Sequence, residues 1–191
     1  MAFSQVVSSG CAPSLTETSS KDRPFKIACD RANSTALASI KKIQPRIVVL
    51  VQRDKHEKND YRKISNKLLA LGVKDVFILG PVPQWKPSLP RVIALRHWNT
   101  NEVQFYDKNF VSELVHTDKQ MESLFDDSQP HIKYLSILSS LCEQEKCIAK
   151  VDQNNTPLVW DHGHLTNIGA SFIFKKVLFD EFENAFKTNQ N

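Results

Sequence analysis

The sequence predicts an α/β fold built on a parallel sheet, and three observations carry that prediction. "RIVVLV" (46–51) is a near-continuous aliphatic run, the pattern of a strand covered on both faces, and "KDVFILG" (74–80) is a second. Between them, Tyr61 to Leu71 places apolar residues at Ile64, Leu68, Leu69 and Leu71, and Gly72 follows as a helix stop. Strand, helix and strand within about 35 residues make one right-handed crossover unit of a parallel sheet.

The remaining elements follow in order. A helix over Ala32 to Lys42 feeds the first strand. After the second strand, "GPVPQWKPSLPRV" holds four of the nine prolines within ten residues. Proline donates nothing to a ladder, so this is a stiff loop leaving the carboxyl edge of a strand, where ligands gather in open α/β sheets. A merely rigid connector is the alternative. Asp107 to Phe125 reads as a polar helix, and "HIKYLSIL" (131–138) as a third strand leading into a cysteine loop. Ile168 to Phe186 closes the chain as a helix with a wide apolar face of Ile168, Phe172, Ile173, Val177, Leu178, Phe182 and Phe186. The expected organisation is one domain over 1–187 with a disordered tail at 188–191.

Composition narrows the function classes. A chain of 191 residues with 41% hydrophobic and 24% charged residues has enough apolar material for a substantial core. The net charge of +4 comes from lysines scattered along the chain, without the basic stripe and interleaved aromatics of a nucleic-acid groove. Ile47 to Val51, the longest aliphatic run, is far too short to span a bilayer. No basic segment followed by a long apolar stretch marks a signal peptide at the N-terminus. The four cysteines form two local sets, Cys11 with Cys29 and Cys142 with Cys147. They read either as buried thiols or as two disulfides made in an oxidising compartment; neither set has the tight spacing of a structural zinc site.

The chemistry concentrates in "VWDHGHLTNIGASF" (159–172). Asp161 and His164 stand three residues apart before the terminal helix, with Thr166 or Asn167 available as its cap. One tight turn brings a carboxylate against an imidazole at this spacing, fixing the tautomer and stabilising the imidazolium after proton uptake. Gly163 lets the turn bend, and Gly169-Ala170 lets the helix approach the sheet closely. Two other readings stand beside this one: Asp161 only caps the turn, or Asp161, His162 and His164 ligate a metal, for which no third anchor is evident elsewhere.

"DHGHLTNIGA" resembles the final block of the SGNH hydrolase superfamily, Asp-x-x-His-Leu-(Ser/Thr)-x-x-Gly-Ala. More narrowly, the chain resembles the SGNH domain fused to acyltransferase family 3 membrane proteins, which O-acetylate bacterial polysaccharides. "SSGCAPSL", "IVVLVQRD", "LGVKDVFILGPVPQWKPSLPR" and the "LC…C" loop occur in the matching order and span nearly the whole chain. The resemblance implies a three-layer α/β/α, flavodoxin-like fold, disulfides Cys11–Cys29 and Cys142–Cys147, and a periplasmic setting. It also implies that His164 is a general base and Asp161 its orienting carboxylate. Gly10 falls where the superfamily's second block supplies an oxyanion-hole N–H. Arg53 falls near the third block, where the wider superfamily has asparagine; a surface arginine is the alternative. Trp85 and Arg91 are expected to line the substrate groove or, alternatively, to be a core-edge tryptophan and a solvated arginine.

The superfamily's first block, Gly-Asp-Ser, occurs nowhere in the chain. Ser8 and Ser9 are poor substitutes, since they precede a glycine in the second-block segment rather than sitting on a strand-to-helix turn. The expectation is an N-terminally truncated domain that lacks its first strand, its nucleophile and the transmembrane acyl-donor machinery. Two functions are weighed: the SGNH domain of a lipopolysaccharide or O-antigen O-acyltransferase, inactive alone, or a non-catalytic remnant or glycan-binding module. An acetyl esterase is a variant of the first. The expected partners are a polysaccharide or acetylated sugar and a fused membrane domain. No nucleic acid, metal or cofactor is expected.

Overall fold

A computed structural model of the chain describes residues 3–18, 20–125 and 128–187. The expected tail at 188–191 lies outside them. The chain forms two compact units, one comprising residues up to Leu79 with Leu124–Tyr134, the other Gly80–Ser123 with Leu135 onward.

In the first unit, α1 (Arg23–Ile43) starts well before Ala32 because Asp22 and Pro24 supply a start signal. The Asp22 carboxylate accepts from the Phe25 N–H at 3.1 Å, and proline in the first turn forfeits no helical bond. Lys41 and Lys42 complement the dipole at the far end, and Gln44 ends the helix at φ 47°. The Cys11–Cys29 disulfide ties the N-terminal segment to this helix.

Strand β1 (Ile47–Leu50), helix α2 (Tyr61–Ala70) and strand β2 (Asp75–Leu79) form the expected crossover. β1 and β2 are parallel, with Val48 opposite Val76 and Leu50 opposite Ile78. The sheet is completed by β4 (Ile132–Leu135) in the order β1-β2-β4. Its bonds climb both strands together, from Val76 N–H to His131 O and from Gly80 N–H to Leu135 O, so it is an all-parallel sheet. Central β2 has Val76, Phe77 and Ile78 essentially inaccessible. β1 differs from expectation: it is an edge strand, half-buried over Ile47–Val49, and Val51 beyond it is exposed. Covering on both faces belongs to the central strand, which has neighbours on either side. The third strand is shorter than 131–138 because Ser136 accepts from the Ser139 N–H and starts helix α5 (Ile137–Leu141).

In the second unit, α3 (Leu89–Val92) runs into a π-helical turn (Ile93–His97) and then strand β3 (Gln104–Tyr106). The expected helix from Asp107 begins only at Glu113, as α4 (Glu113–Leu124). Asp107 is instead buried and pinned: Arg96 donates to its two oxygens at 2.8 and 2.9 Å, His97 Nε2 at 3.1 Å and the Asn109 N–H at 2.8 Å. Burial opposes its ionisation, but Arg96, the Asn109 amide and His97 outweigh it and hold the carboxyl at about 2.

β3 joins β5 (Cys142–Glu143) and β6 (Lys146–Ile148) in a small antiparallel sheet, order β3-β6-β5, with Cys142 directly opposite Cys147 and bonded to it. Lys150, wholly buried, donates to His97 O, Thr100 O and Asn155 Oδ1 at 3.2, 2.7 and 3.1 Å, with Thr100 Oγ1 at 3.5 Å, so its charge is spread over four acceptors. The terminal helix is α6 (Asn167–Ile173), a π-helical turn (Phe174–Leu178) and α7 (Phe179–Lys187). Ile173 and Leu178 of the expected apolar face are buried, whereas Ile168 is exposed. Among the described residues no helix is long and apolar enough to cross a membrane.

Candidate active site

Residues 158–166 form a tight hairpin in the second unit. Val159 pairs with Leu165, the Trp160 N–H donates to His164 O at 2.9 Å, and the Thr166 N–H donates to Leu158 O at 3.0 Å. The loop at its tip carries Asp161. Asp161 Oδ1 accepts from the N–H groups of Gly163 and His164 at 2.9 and 2.8 Å, while Oδ2 accepts from His164 Nδ1 at 2.6 Å. Turn capping and the Asp–His pair are therefore not alternatives. One carboxylate does both, an oxygen for each.

A carboxylate oxygen that is ionised only accepts, so His164 Nδ1 carries the proton, and in the neutral imidazole Nε2 keeps its lone pair. Nε2 makes no hydrogen bond among the described residues, and the His164 side chain is 53% exposed. Burial works against ionisation of Asp161. The amides of His164 and Gly163 and then the His164 ring outweigh it, holding the carboxyl at about 2. Asp161 is thus fully charged wherever the imidazole needs a counter-ion. Trp160 lies alongside, its ring 5.4 Å from the His164 ring and inclined by 20°. An imidazolium formed on proton uptake would meet the negative face of that indole as well as the carboxylate.

The proline-rich segment braces this loop from outside. The Trp85 N–H donates to His162 O at 3.2 Å, His162 Nδ1 donates to Trp85 O at 3.1 Å, and the Leu89 N–H donates to Asp161 O at 3.1 Å. The Lys86-Pro87 bond is cis. A Cβ on Gly163 would lie 2.9 Å from Gln84 Cγ, so glycine lets the two segments close up. Below the hairpin, Thr166 caps α6 by accepting from the Gly169 N–H at 2.9 Å, and Gly169 packs against the Leu158 carbonyl.

Trp85 is wholly buried against Phe110, so its ring belongs to the core and its backbone, not its side chain, serves the site; groove lining by the ring is corrected accordingly. Arg91 is exposed on α3, two residues past Leu89. Gly10 and Arg53 belong to the first unit. Gly10 occupies a turn at φ +68°, closed by the Cys11 N–H to Ser8 O bond at 3.1 Å. Arg53 pairs with Asp54 at the surface at 2.9 Å. His162 and His164 are committed to different partners, and among the described residues no group of three or more His, Cys, Asp or Glu side chains is set to hold a metal. Sequence reasoning passed over Trp160; its adjacency to Asp161 was visible, but its stacking on His164 is a cross-strand contact of the hairpin. Both expected disulfides are formed.

Among curated proteins none matches this sequence. In solved structures the chain is similar to the lipopolysaccharide acetyltransferase periplasmic domain of Salmonella ser. Paratyphi A, with 23% identity and a TM-score of 0.62. The match covers 83% of this chain and 65% of that one, so the chain spans just under two thirds of its solved relative. That likeness bears on the fold. The family model described as "SGNH domain (fused to AT3 domains)" matches residues 1–178, nearly the whole length, and this chain therefore belongs to that SGNH domain family.

Proposed function

We propose that the chain is the SGNH domain of a bacterial cell-surface polysaccharide O-acetyltransferase acting on lipopolysaccharide or O-antigen in the periplasm. The observation that carries this reading is the 2.6 Å bond from His164 Nδ1 to Asp161, which leaves Nε2 open as a base. His164 Nε2 takes the proton of a serine hydroxyl as its oxygen bonds to the acyl carbon, and hands that proton to the donor's leaving group as the acyl–donor bond breaks, which returns the imidazole to its neutral form. A sugar hydroxyl then attacks the acyl-serine, passing its proton through Nε2 to the serine oxygen as that ester bond breaks. Water in place of the sugar gives esterase chemistry. Gly10 is the proposed oxyanion donor, and Arg53 and Arg91 are proposed to meet substrate. Two disulfides with no free cysteine support an oxidising compartment. The acyl-donor partner in this reading is a transmembrane AT3 domain.

No Gly-Asp-Ser triplet lies in these 191 residues. Alone they are therefore proposed to be inert, and the same absence favours a second reading, a glycan-binding module without chemistry. The test compares polysaccharide from the native host with that from strains carrying His164→Ala or Asp161→Asn, reading O-acetyl groups by NMR. Loss of O-acetyl signal in both strains supports acyl transfer; full acetylation in the His164→Ala strain refutes it. The purified chain is expected to leave a chromogenic acetyl ester unhydrolysed, and turnover there would mean that another hydroxyl of this chain is the nucleophile.

A further inference from the structure

We infer that Trp160 is the binding platform for the pyranose ring of the acceptor saccharide, holding it edge to edge with the His164 imidazole; this rests on the acyl-transfer reading above. Trp160 is 60% exposed although it is the largest kind of apolar side chain, and it sits immediately beside the proposed base. A tryptophan so placed keeps a large apolar surface in water unless a ligand covers it.

The ring geometry says which part of it is open. The His97–Phe105 pair in the same chain shows full overlap, at 3.7 Å between centroids and 6° between planes. Trp160 and His164 are also close to parallel, at 20°, but their centroids are 5.4 Å apart. Nearly parallel rings in contact at that separation are offset, so the imidazole covers only part of one indole face. A ligand laid on the remainder of that face lies in the same layer as the imidazole.

A pyranose fits this space for a chemical reason. Its axial C–H bonds point perpendicular to the mean ring plane and form an apolar face that an aromatic ring accepts. Its equatorial hydroxyls radiate within the ring plane. Stacked on the indole, the sugar therefore directs hydroxyls sideways toward the imidazole that lies in the same layer. Asp161 holds the imidazole in the orientation that makes this layer, through the 2.6 Å bond and the two amide bonds of the turn. The class of acceptor recognised is a hexopyranose with an uninterrupted face of axial hydrogens.

Saturation-transfer difference NMR on the purified 191-residue chain tests this, because it detects weak saccharide binding without turnover. The probes are methyl glycosides of glucose, galactose, mannose, rhamnose and N-acetylglucosamine. At least one is expected to receive saturation, strongest on its axial ring protons. Trp160→Ala is expected to lose that signal, Trp160→Phe to keep most of it, and Trp98→Ala, which removes another exposed indole, to leave it unchanged. The downfield Nδ1 proton of His164, retained in every variant, shows that the hairpin is intact. No transfer to any probe in the unaltered chain, or equal transfer in Trp160→Ala with the hairpin intact, overturns the inference. Loss of transfer in Trp160→Ala alongside full polysaccharide acetylation in the His164→Ala strain would sink the acyl-transfer reading and leave the saccharide platform standing.

Discussion

Gly169→Ala sets helix propensity against packing, and the structure gives the size of each. Gly169 is the third residue of α6, where alanine is favoured over glycine by about 1 kcal/mol on propensity alone. Its added methyl group, however, would sit 2.1 Å from the Leu158 carbonyl oxygen and 2.9 Å from Thr166 Oγ1. Ordinary contact begins near 3.4 Å, so the helix start and the Leu158 carbonyl must separate by about 1.3 Å. Neither can yield cheaply. Leu158 is wholly buried, and its carbonyl accepts from the Thr166 N–H at 3.0 Å. Overpacking a tight site costs about 1–3 kcal/mol. Losing the hydrogen bond adds about 1 kcal/mol. With the propensity gain subtracted, the net expectation is a loss of about 1–3 kcal/mol, a sizeable share of a typical domain's stability of about 5–15 kcal/mol. Urea unfolding at neutral pH measures it as a lower midpoint at unchanged slope. Gly163→Ala serves as the comparison, since its methyl would meet a side chain, Gln84, at 2.9 Å rather than a backbone carbonyl at 2.1 Å, and its loss is expected to be smaller. An unchanged or raised midpoint for Gly169→Ala would show that propensity wins and that the close approach is not a constraint.

Two further outcomes follow from the covalent and ionic ties. Replacing each disulfide by an alanine pair is expected to cost about 3 kcal/mol for Cys11–Cys29 and about 2 kcal/mol for Cys142–Cys147, because the longer loop, 18 residues against 5, restricts the unfolded chain more; equilibrium denaturation gives both, and the reverse ranking would refute the loop-entropy account. Asp161 has its carboxyl pulled from 3.8 to about 2, so its contribution is complete above pH 4–5 and is lost as pH falls through about 2. Carbon-detected NMR titration of the Asp161 carboxyl, with Asp161→Asn as the variant lacking that acid transition, checks the direction; titration at the ordinary value would contradict the turn geometry.

The legible parts of the fold were those written in local chemistry. α2 was readable from Ile64, Leu68 and Gly72, and β2 from an unbroken aliphatic run, because each carries its period and its stop within its own residues. The start of α4 was not, because Asp107 is held out of the helix by Arg96 and His97, partners ten and more residues away. The burial of β1 was overestimated for the same kind of reason: an edge strand and a central strand share one aliphatic alphabet, and only sheet order separates them. The small antiparallel sheet rests on three-residue and two-residue strands, too short for a period to show.

The amino-acid sequence by itself determined the crossover unit and a four-residue segment in which an acid and an imidazole could meet if the chain turned, and its resemblance to a family implied the cysteine pairs. Tertiary structure decided which oxygen does what: Oδ1 of Asp161 closes the turn, Oδ2 holds the ring, and Trp160 takes its place across the hairpin from His164. The physical reason is directional. Spacing says which groups can come within reach, but hydrogen bonds and ring stacking depend on angles, and those angles are set by the strands of the hairpin and by the braces from Trp85 and Leu89.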